Sequence, residues 1–104
     1  MFRRQLPAPN VAATRTPLGS FQGALTSVPA PQLAATAIRG ALARANADPA
    51  LVSDAILGSV LQAGQGQAPA RQAALRGGLS AATRSVTVHK VCGSGMQAVI
   101  DASY

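Results

Sequence analysis

The sequence alternates stretches of strand character with stretches of helix character, and this alternation restricts the fold more than any other feature. Apolar and β-branched runs predict strands over 10–14, 55–61 and 85–91. Apolar residues at helical spacing predict helices that begin near Pro31, at Pro69 and near Met96. Strands that alternate with helices build parallel sheets with right-handed crossovers. The sequence therefore predicts an α/β protein of βαβαβα order.

Turn-forming residues separate these elements. Asp48 and Pro49 predict a cap and the first residue of a short turn after the first helix, and Gly77-Gly78 ends the second helix. Gly58 interrupts the second strand. The loop at 64–67 lacks the third glycine and the following acid of a dinucleotide-binding loop, so it is interpreted as a loop that shapes the backbone.

Length and composition exclude several classes of protein. The 104 residues allow one domain at most, and 48% hydrophobic residues are too many for a disordered chain. The sequence has no uninterrupted apolar stretch of about 18 residues, so it predicts no membrane span. One cysteine and one histidine exclude a disulfide framework and a closed zinc site within the chain.

The cysteine usage makes an intracellular, cytoplasmic protein the expected case, with a mitochondrial location as the alternative. Arg3 and Arg4, with no acid before Asp48, are typical of a transit peptide. However, Pro7 and Pro9 prevent the amphipathic helix that such a peptide needs.

The chain is strongly basic, with nine Lys and Arg against three Asp, for a net charge of +6. A basic module that binds nucleic acid is therefore one hypothesis for its function. Nucleic-acid binders cluster their cations on one face and interleave aromatic residues with them. Here the cations are scattered through every predicted element, which favours a solvated surface and no nucleic-acid partner.

The last predicted helix is apolar on most sides and reaches Tyr104 without a stop signal. Such a helix needs further protein around it. We therefore expect the front part of a larger α/β protein, with an irregular segment over 1–10 and a partial domain over 11–104 that ends inside this helix.

Cys92 lies between the end of the third predicted strand and the start of the last helix. This edge of a parallel sheet is where ligands bind, and the amino end of a helix stabilises a thiolate. Gly93 and Gly95 let the backbone turn sharply and let a substrate approach. Cys92 is therefore a candidate nucleophile for acyl transfer. A buried structural cysteine is the alternative.

His89 is the one histidine of the chain, so it is the only imidazole that could serve as a base. If the third strand extends to residue 91, alternation places His89 and Cys92 on opposite faces. His89 is then a structural or packing histidine. The acid and base that serve Cys92 would lie outside these residues.

The stretch Thr87-Val-His-Lys-Val-Cys-Gly-Ser-Gly-Met-Gln-Ala-Val resembles the acyl-enzyme motif of the thiolases. Residues 15–23, 56–67 and 68–75 resemble further thiolase stretches in the same order, so the likeness runs from about Val11 to the end. It is closest to the biosynthetic acetyl-CoA acetyltransferase branch. The 3-ketoacyl-CoA thiolases of the degradative branch are the alternative.

The resemblance implies a thiolase-like fold and acyl transfer between coenzyme A thioesters. Cys92 matches the family's acyl-thioester nucleophile, and its backbone amide matches one donor of the oxyanion hole. Acetyl-CoA, acetoacetyl-CoA and coenzyme A are the implied substrates, with no tightly bound cofactor and no metal. The implied assembly is a homo-oligomer, a dimer or tetramer, without nucleic acid or membrane. His89 stands where the family usually has Asn.

Other catalytic residues of the family lie in Gly-His-Pro, Asn-Glu-Ala-Phe and Cys-x-Gly motifs, which this sequence lacks. We therefore expect the isolated 104-residue chain not to catalyse turnover.

Overall fold

The computed structural model describes residues 8–104 and has α/β architecture. In these residues the elements are α1 (Ala30–Ala45), a 3-10 turn (Pro49–Leu51), β1 (Asp54–Gly58), α2 (Pro69–Arg76), β2 (Arg84–Val88) and α3 (Ser94–Ala102). β1 and β2 pair in parallel, from Asp54 opposite Arg84 to Gly58 opposite Val88. The predicted α/β fold class is confirmed, but the order in these residues is αβαβα and not βαβαβα. The last helix ends at Ala102, with Ser103 as its C-cap, whereas the sequence predicted that it runs through Tyr104.

The strand predicted over 10–14 is wrong. Residues 8–29 contain no helix or strand. The segment lies along α1 instead: the Thr14 hydroxyl donates to the Ala37 carbonyl at 2.8 Å, and the Arg44 guanidinium donates to the Ala13 carbonyl. Short apolar runs do not become strands without a partner, and the described sheet consists of β1 and β2 alone. The irregular segment predicted for 1–10 falls mostly on residues 1–7, which lie outside the described part of the chain.

The turn signals are confirmed. Pro31 lies in the first turn of α1, and Asp48 caps the 3-10 turn because its Oδ1 accepts the Ala50 N–H at 2.9 Å. The second helix begins at Pro69 and ends before Gly77. At Gly78 a φ of 92° places the backbone in the region that favours glycine.

The two predicted strands that the structure contains, 55–61 and 85–91, extend too far at their carboxyl ends. β1 stops at Gly58 and β2 at Val88, each three residues before the expected end. One further hydrogen bond, from the Ser59 N–H to the Val88 carbonyl at 2.9 Å, closes the ladder. Beyond it the chain turns away at both strands, so the loops that follow lie at one edge of the sheet.

The core consists of small side chains. Its members are Ala35, Ala55, Ala70, Ala73, Ala74, Leu79 and Ala98. The largest fully buried side chain is Thr83, whose hydroxyl donates to the Val52 carbonyl at 2.9 Å. Glycine at position 77 lets the Ile38 side chain of α1 pack against the end of α2, because a Cβ at Gly77 would lie 2.8 Å from Ile38 Cγ2. The helices α1 and α2 are therefore packed at short range.

The larger apolar side chains of α3 point outward. The exposed side chains include the apolar residues whose helical spacing predicts this helix, Met96, Val99 and Ile100. The buried residues are Ser94 and Ala98. The helix therefore packs its smallest residues against β1. In the described residues, no helix is both long enough and apolar enough to cross a membrane.

Candidate active site

Cys92 lies at the carboxyl-terminal edge of the parallel sheet, between β2 and α3. It is a free, exposed thiol, so the alternative of a buried structural cysteine is wrong. Because β1 and β2 run in the same direction, the loops after both strands meet at this edge, where parallel sheets bind ligands.

The thiol is carried on a tight turn, residues 89–93, called here the nucleophile loop. The Gly93 N–H donates to the Lys90 carbonyl at 2.9 Å, and the Ser94 N–H donates to the Val91 carbonyl at 3.2 Å. Val91 has a φ of 44°, in the left-handed region that β-branched residues rarely adopt. A conformation of this kind persists only where the surroundings hold it, and such residues cluster at functional sites.

The hydroxyl of Ser94 bridges the nucleophile loop. Its Oγ accepts the Lys90 N–H at 2.8 Å and donates to the Val91 carbonyl at 2.6 Å. Ser94 is 5% exposed, so both bonds are protected from water. The hydroxyl thus joins the start of α3 to the two residues that precede Cys92.

Gly58 fixes the same region from β1. A Cβ at this position would lie 2.6 Å from the Ser94 carbonyl carbon and 2.7 Å from the Gly95 nitrogen. Only a residue without a side chain lets the end of β1 lie against the first turn of α3. The strand and the helix start are therefore in direct backbone contact.

His89 belongs to the nucleophile loop and not to a strand. The alternation argument that separated it from Cys92 is wrong, because β2 ends at Val88. The ring is exposed, and its Nδ1 accepts the Val91 N–H at 3.1 Å. This hydrogen bond is consistent with the structural role expected for His89, and that role stays a prediction.

The His89 hydrogen bond also bears on the resemblance to the thiolases, which leads us to expect Asn at this position. An asparagine side chain commonly accepts the N–H of the residue two positions later, forming an Asx turn. His89 Nδ1 accepts this same N–H. The imidazole supplies the hydrogen bond that an amide oxygen would supply there.

Charged groups near the loop are held by neighbours on α3. The Lys90 ammonium donates to Gln97 Oε1 at 3.2 Å, and Gln97 Nε2 donates to Asp101 Oδ1 at 2.7 Å. In residues 8–104 no three metal-ligating side chains come together. The groups that the site presents for chemistry are therefore the Cys92 thiol and the backbone amides at the start of α3.

A small cavity lies on the same edge of the sheet, beside Gly58, Ser59 and Thr87. Its volume is about 60 Å³, enough for a few water molecules and far below that of a coenzyme. The amino end of α2 closes it, because the Ala70 N–H donates to Thr87 Oγ1 at 3.1 Å. Cys92 is not among the residues that line this cavity, so the cavity is not where a coenzyme A thioester would meet the thiol.

Sequence reasoning found Cys92 but missed Ser94, Gly58 and the left-handed Val91. Gly58 carried a usable signal, since a glycine inside a strand often marks a close backbone approach. Ser94 carried none beyond its place in Cys-Gly-Ser-Gly, because a serine at a helix start is usually interpreted as a cap.

Comparisons with known proteins agree with this geometry. Residues 10–104 match the family model described as "Thiolase, N-terminal domain". The acetyl-CoA acetyltransferase of Cupriavidus necator is 52% identical over 90 residues, covering 86% of this chain and 23% of that protein. Acetyl-CoA acetyltransferase 2 of Arabidopsis thaliana is 54% identical over 93 residues, covering 89% and 23%. The human mitochondrial acetyl-CoA acetyltransferase is 50% identical over 93 residues, covering 89% and 22%.

A solved structure shares the fold. A thiolase of Ascaris suum in complex with coenzyme A superposes with a TM-score of 0.87 at 35% sequence identity, covering 89% of this chain and 24% of that one. The chain thus spans about a quarter of that structure and 23% of the Cupriavidus relative. The chain belongs to the thiolase family, and it matches that family's N-terminal domain over residues 10–104.

Proposed function

We propose that this chain carries the acyl-accepting part of an acetyl-CoA C-acetyltransferase, with Cys92 as the thioester-forming nucleophile. The observation that carries the proposal is the place of Cys92: an exposed thiol on a turn held from two sides, directly before α3. The membership in the thiolase family and the relatives named acetyl-CoA acetyltransferase support it.

The first half-reaction needs only a thiolate and a way to stabilise the oxyanion. The Cys92 sulfur attacks the carbonyl carbon of acetyl-CoA, and the new sulfur–carbon bond replaces the bond to the coenzyme A sulfur. The thiol proton of Cys92 ends on the departing coenzyme A thiol. The product is an acetyl thioester on Cys92.

Negative charge develops on the thioester oxygen during this attack. The backbone amide of Cys92 is the proposed donor to that oxygen, and a single such donor can contribute about 3 kcal/mol. The amino end of α3 supports the charge further, because its first amides have no partner within the helix.

Condensation needs a base that removes a proton from the second acetyl-CoA. A placed base contributes about 10²- to 10⁴-fold. The chain has one cysteine, which is acylated at this step, one histidine, which is bound to its own loop, and no glutamate. We therefore expect slow, single acetylation of the 104-residue chain, without formation of acetoacetyl-CoA.

The substrates, assembly and location belong to the same proposal. Acetyl-CoA, acetoacetyl-CoA and coenzyme A are the proposed substrates, supported by the coenzyme A bound to the Ascaris thiolase. A homo-oligomer is the proposed assembly. Relatives include mitochondrial and bacterial proteins, and a cytoplasmic location is proposed for this one, with the mitochondrion as the alternative.

The test is acyl transfer to the purified 104-residue chain, followed by intact-mass spectrometry. Incubation with acetyl-CoA should add one acetyl group, which neutral hydroxylamine removes because it cleaves thioesters and leaves lysine amides. The Cys92→Ala variant should not be labelled, whereas Lys90→Arg should be labelled normally. Labelling that resists hydroxylamine, persists in Cys92→Ala, or is absent from the folded chain would contradict the proposal.

The choice of acyl donor separates the two thiolase branches. Transfer from acetyl-CoA and acetoacetyl-CoA in preference to a long-chain 3-ketoacyl-CoA is the expected result. The opposite preference would favour the degradative branch.

A further inference from the structure

We propose that Ser94 is a positioning residue for Cys92: its buried hydroxyl holds the nucleophile loop in the turn that orients the thiol. The proposal rests on the proposed acyl transfer for the reaction that the thiol performs. The hydrogen bonds themselves are features of the fold.

The direction of the Ser94 bonds carries the inference. Ser94 is the first residue of α3, and a serine inside a helix commonly donates its hydroxyl to a carbonyl three or four residues earlier, as Ser94 does to Val91. Its oxygen also accepts the Lys90 N–H, which lies outside the helix, so one hydroxyl binds two residues of the loop. The N-cap of α3 is Gly93, which makes no side-chain cap. The Ser94 hydroxyl therefore serves the loop and does not cap the helix.

The loop needs such a restraint. Val91 is held at a φ of 44°, which is unfavourable for a β-branched residue. One of its polar backbone groups binds Ser94 Oγ and the other binds His89 Nδ1. Since His89 is exposed and Ser94 is 5% exposed, the serine bond is the one shielded from competing water.

The position of Ser94 is itself fixed by β1. Its backbone carbonyl lies against Gly58, so close that a Cβ there would overlap it. The hydroxyl thus couples a rigid contact between strand and helix to the residue that precedes Cys92. A group acting this way affects the orientation of the thiol, not its accessibility.

Three variants test the proposal in the 104-residue chain. Ser94→Ala removes the hydroxyl and Ser94→Thr restores one. Ser103→Ala is the matched control, because Ser103 lies just past the same helix and its hydroxyl also donates to a carbonyl three residues earlier, that of Ile100, at 2.7 Å. Circular dichroism and thermal unfolding establish that each variant is folded.

Amide exchange and acetylation are measured on each chain, with alkylation as a control for the accessibility of the thiol. In Ser94→Ala the Lys90 amide, which loses its acceptor, should exchange its hydrogen about tenfold faster. Acetylation of Cys92 by acetyl-CoA should slow about tenfold to a hundredfold, the cost of a misplaced reacting group. Alkylation by iodoacetamide, which needs an accessible thiolate but no particular orientation toward an acyl donor, should change little. Ser94→Thr should recover both measured rates, and Ser103→Ala should match the wild type.

The outcomes separate the two proposals. An unchanged Lys90 exchange rate in folded Ser94→Ala overturns the role of Ser94, and so does acetylation at the wild-type rate. Equal losses in acetylation, alkylation and thermal stability, without recovery in Ser94→Thr, assign the serine a purely structural role and also overturn it. Wild-type protein that is folded but never acetylated overturns the proposed function, and the exchange rate then decides on Ser94 alone.

Discussion

Val91 has the least favourable backbone conformation near the thiol, and the residues on each side of it act to hold that conformation. His89 accepts its N–H and Ser94 donates to its carbonyl. A histidine and the asparagine expected from the resemblance both place an acceptor within reach of the N–H two residues later. The hydrogen bond seen here therefore needs an acceptor at position 89.

The ion pair between Arg84 and Asp54 predicts a pH dependence of stability. The Arg84 guanidinium, 2.8 Å from Asp54 Oδ2, holds the pKa of that carboxyl below its ordinary value of 3.8. A lowered folded-state pKa adds stability above 3.8 that is lost as the pH falls through the folded value. Both side chains are exposed, so the contribution is small and screened by salt.

Thermal unfolding of wild type and Asp54→Asn across acidic to neutral pH tests this expectation. The wild type should have the higher midpoint near neutral pH, and the two curves should converge below pH 3.8. Arg84→Gln should show the same convergence, and added salt should reduce the difference at neutral pH. A difference that grows on acidification would contradict the assignment.

At the scale of elements, the contact between the end of β1 and the start of α3 predicts a sharp difference between two glycines. In Gly58→Ala the new Cβ would lie 2.6 Å from the Ser94 carbonyl carbon, so strand and helix must separate. We expect a loss of about 1–3 kcal/mol in the free energy of unfolding, the usual cost of overpacking. Acetylation of Cys92 should slow as well.

Gly95→Ala is the matched control, since a Cβ at Gly95 meets no atom within 4 Å. An alanine in the helix should leave stability unchanged or raise it by up to about 1 kcal/mol. Urea unfolding of both variants gives the comparison. Equal stabilities for the two alanine variants would show that the backbone contact at Gly58 does not constrain the fold.

The helices could be predicted from sequence because their signals are local. Pro31, Pro69 and Gly77 mark their bounds within a residue or two of those observed. The ends of the strands could not be predicted. β1 ends at Gly58, where it meets the start of α3, and α3 is distant in sequence. The failed strand at 10–14 has the same origin: Thr14 and Ala13 are bound by α1, a contact that no local pattern encodes.

At the scale of the whole molecule, several basic side chains form hydrogen bonds or an ion pair within the protein. Arg39, Arg44 and Arg71 donate to backbone carbonyls, Arg71 to those of Thr83 and Ala81 at 2.6 and 2.7 Å. Arg84 pairs with Asp54. These guanidinium groups thus bind oxygen atoms of the protein itself, a structural use of basic charge that requires no nucleic-acid partner.

A salt titration separates the two classes of protein that the sequence left open. We expect only weak binding of duplex DNA in a gel-shift assay at low salt, abolished near physiological salt, without sequence preference. A matched control is Arg71→Lys, which keeps the charge and should not alter the binding. Tight binding that survives physiological salt would favour the basic module instead.

The backbone contact between Gly58 and Ser94 also orders events in time as the chain folds. It joins the end of one strand of the parallel pair to the helix that follows the other, and contacts between residues distant in sequence form slowly because a long loop must close first. The hydrogen bonds around Val91 join residues only two to four positions apart, so they can form before that contact. We expect the contact to fix the finished turn against β1, so the rate at which Cys92 gains its native reactivity should report when this edge of the sheet is complete.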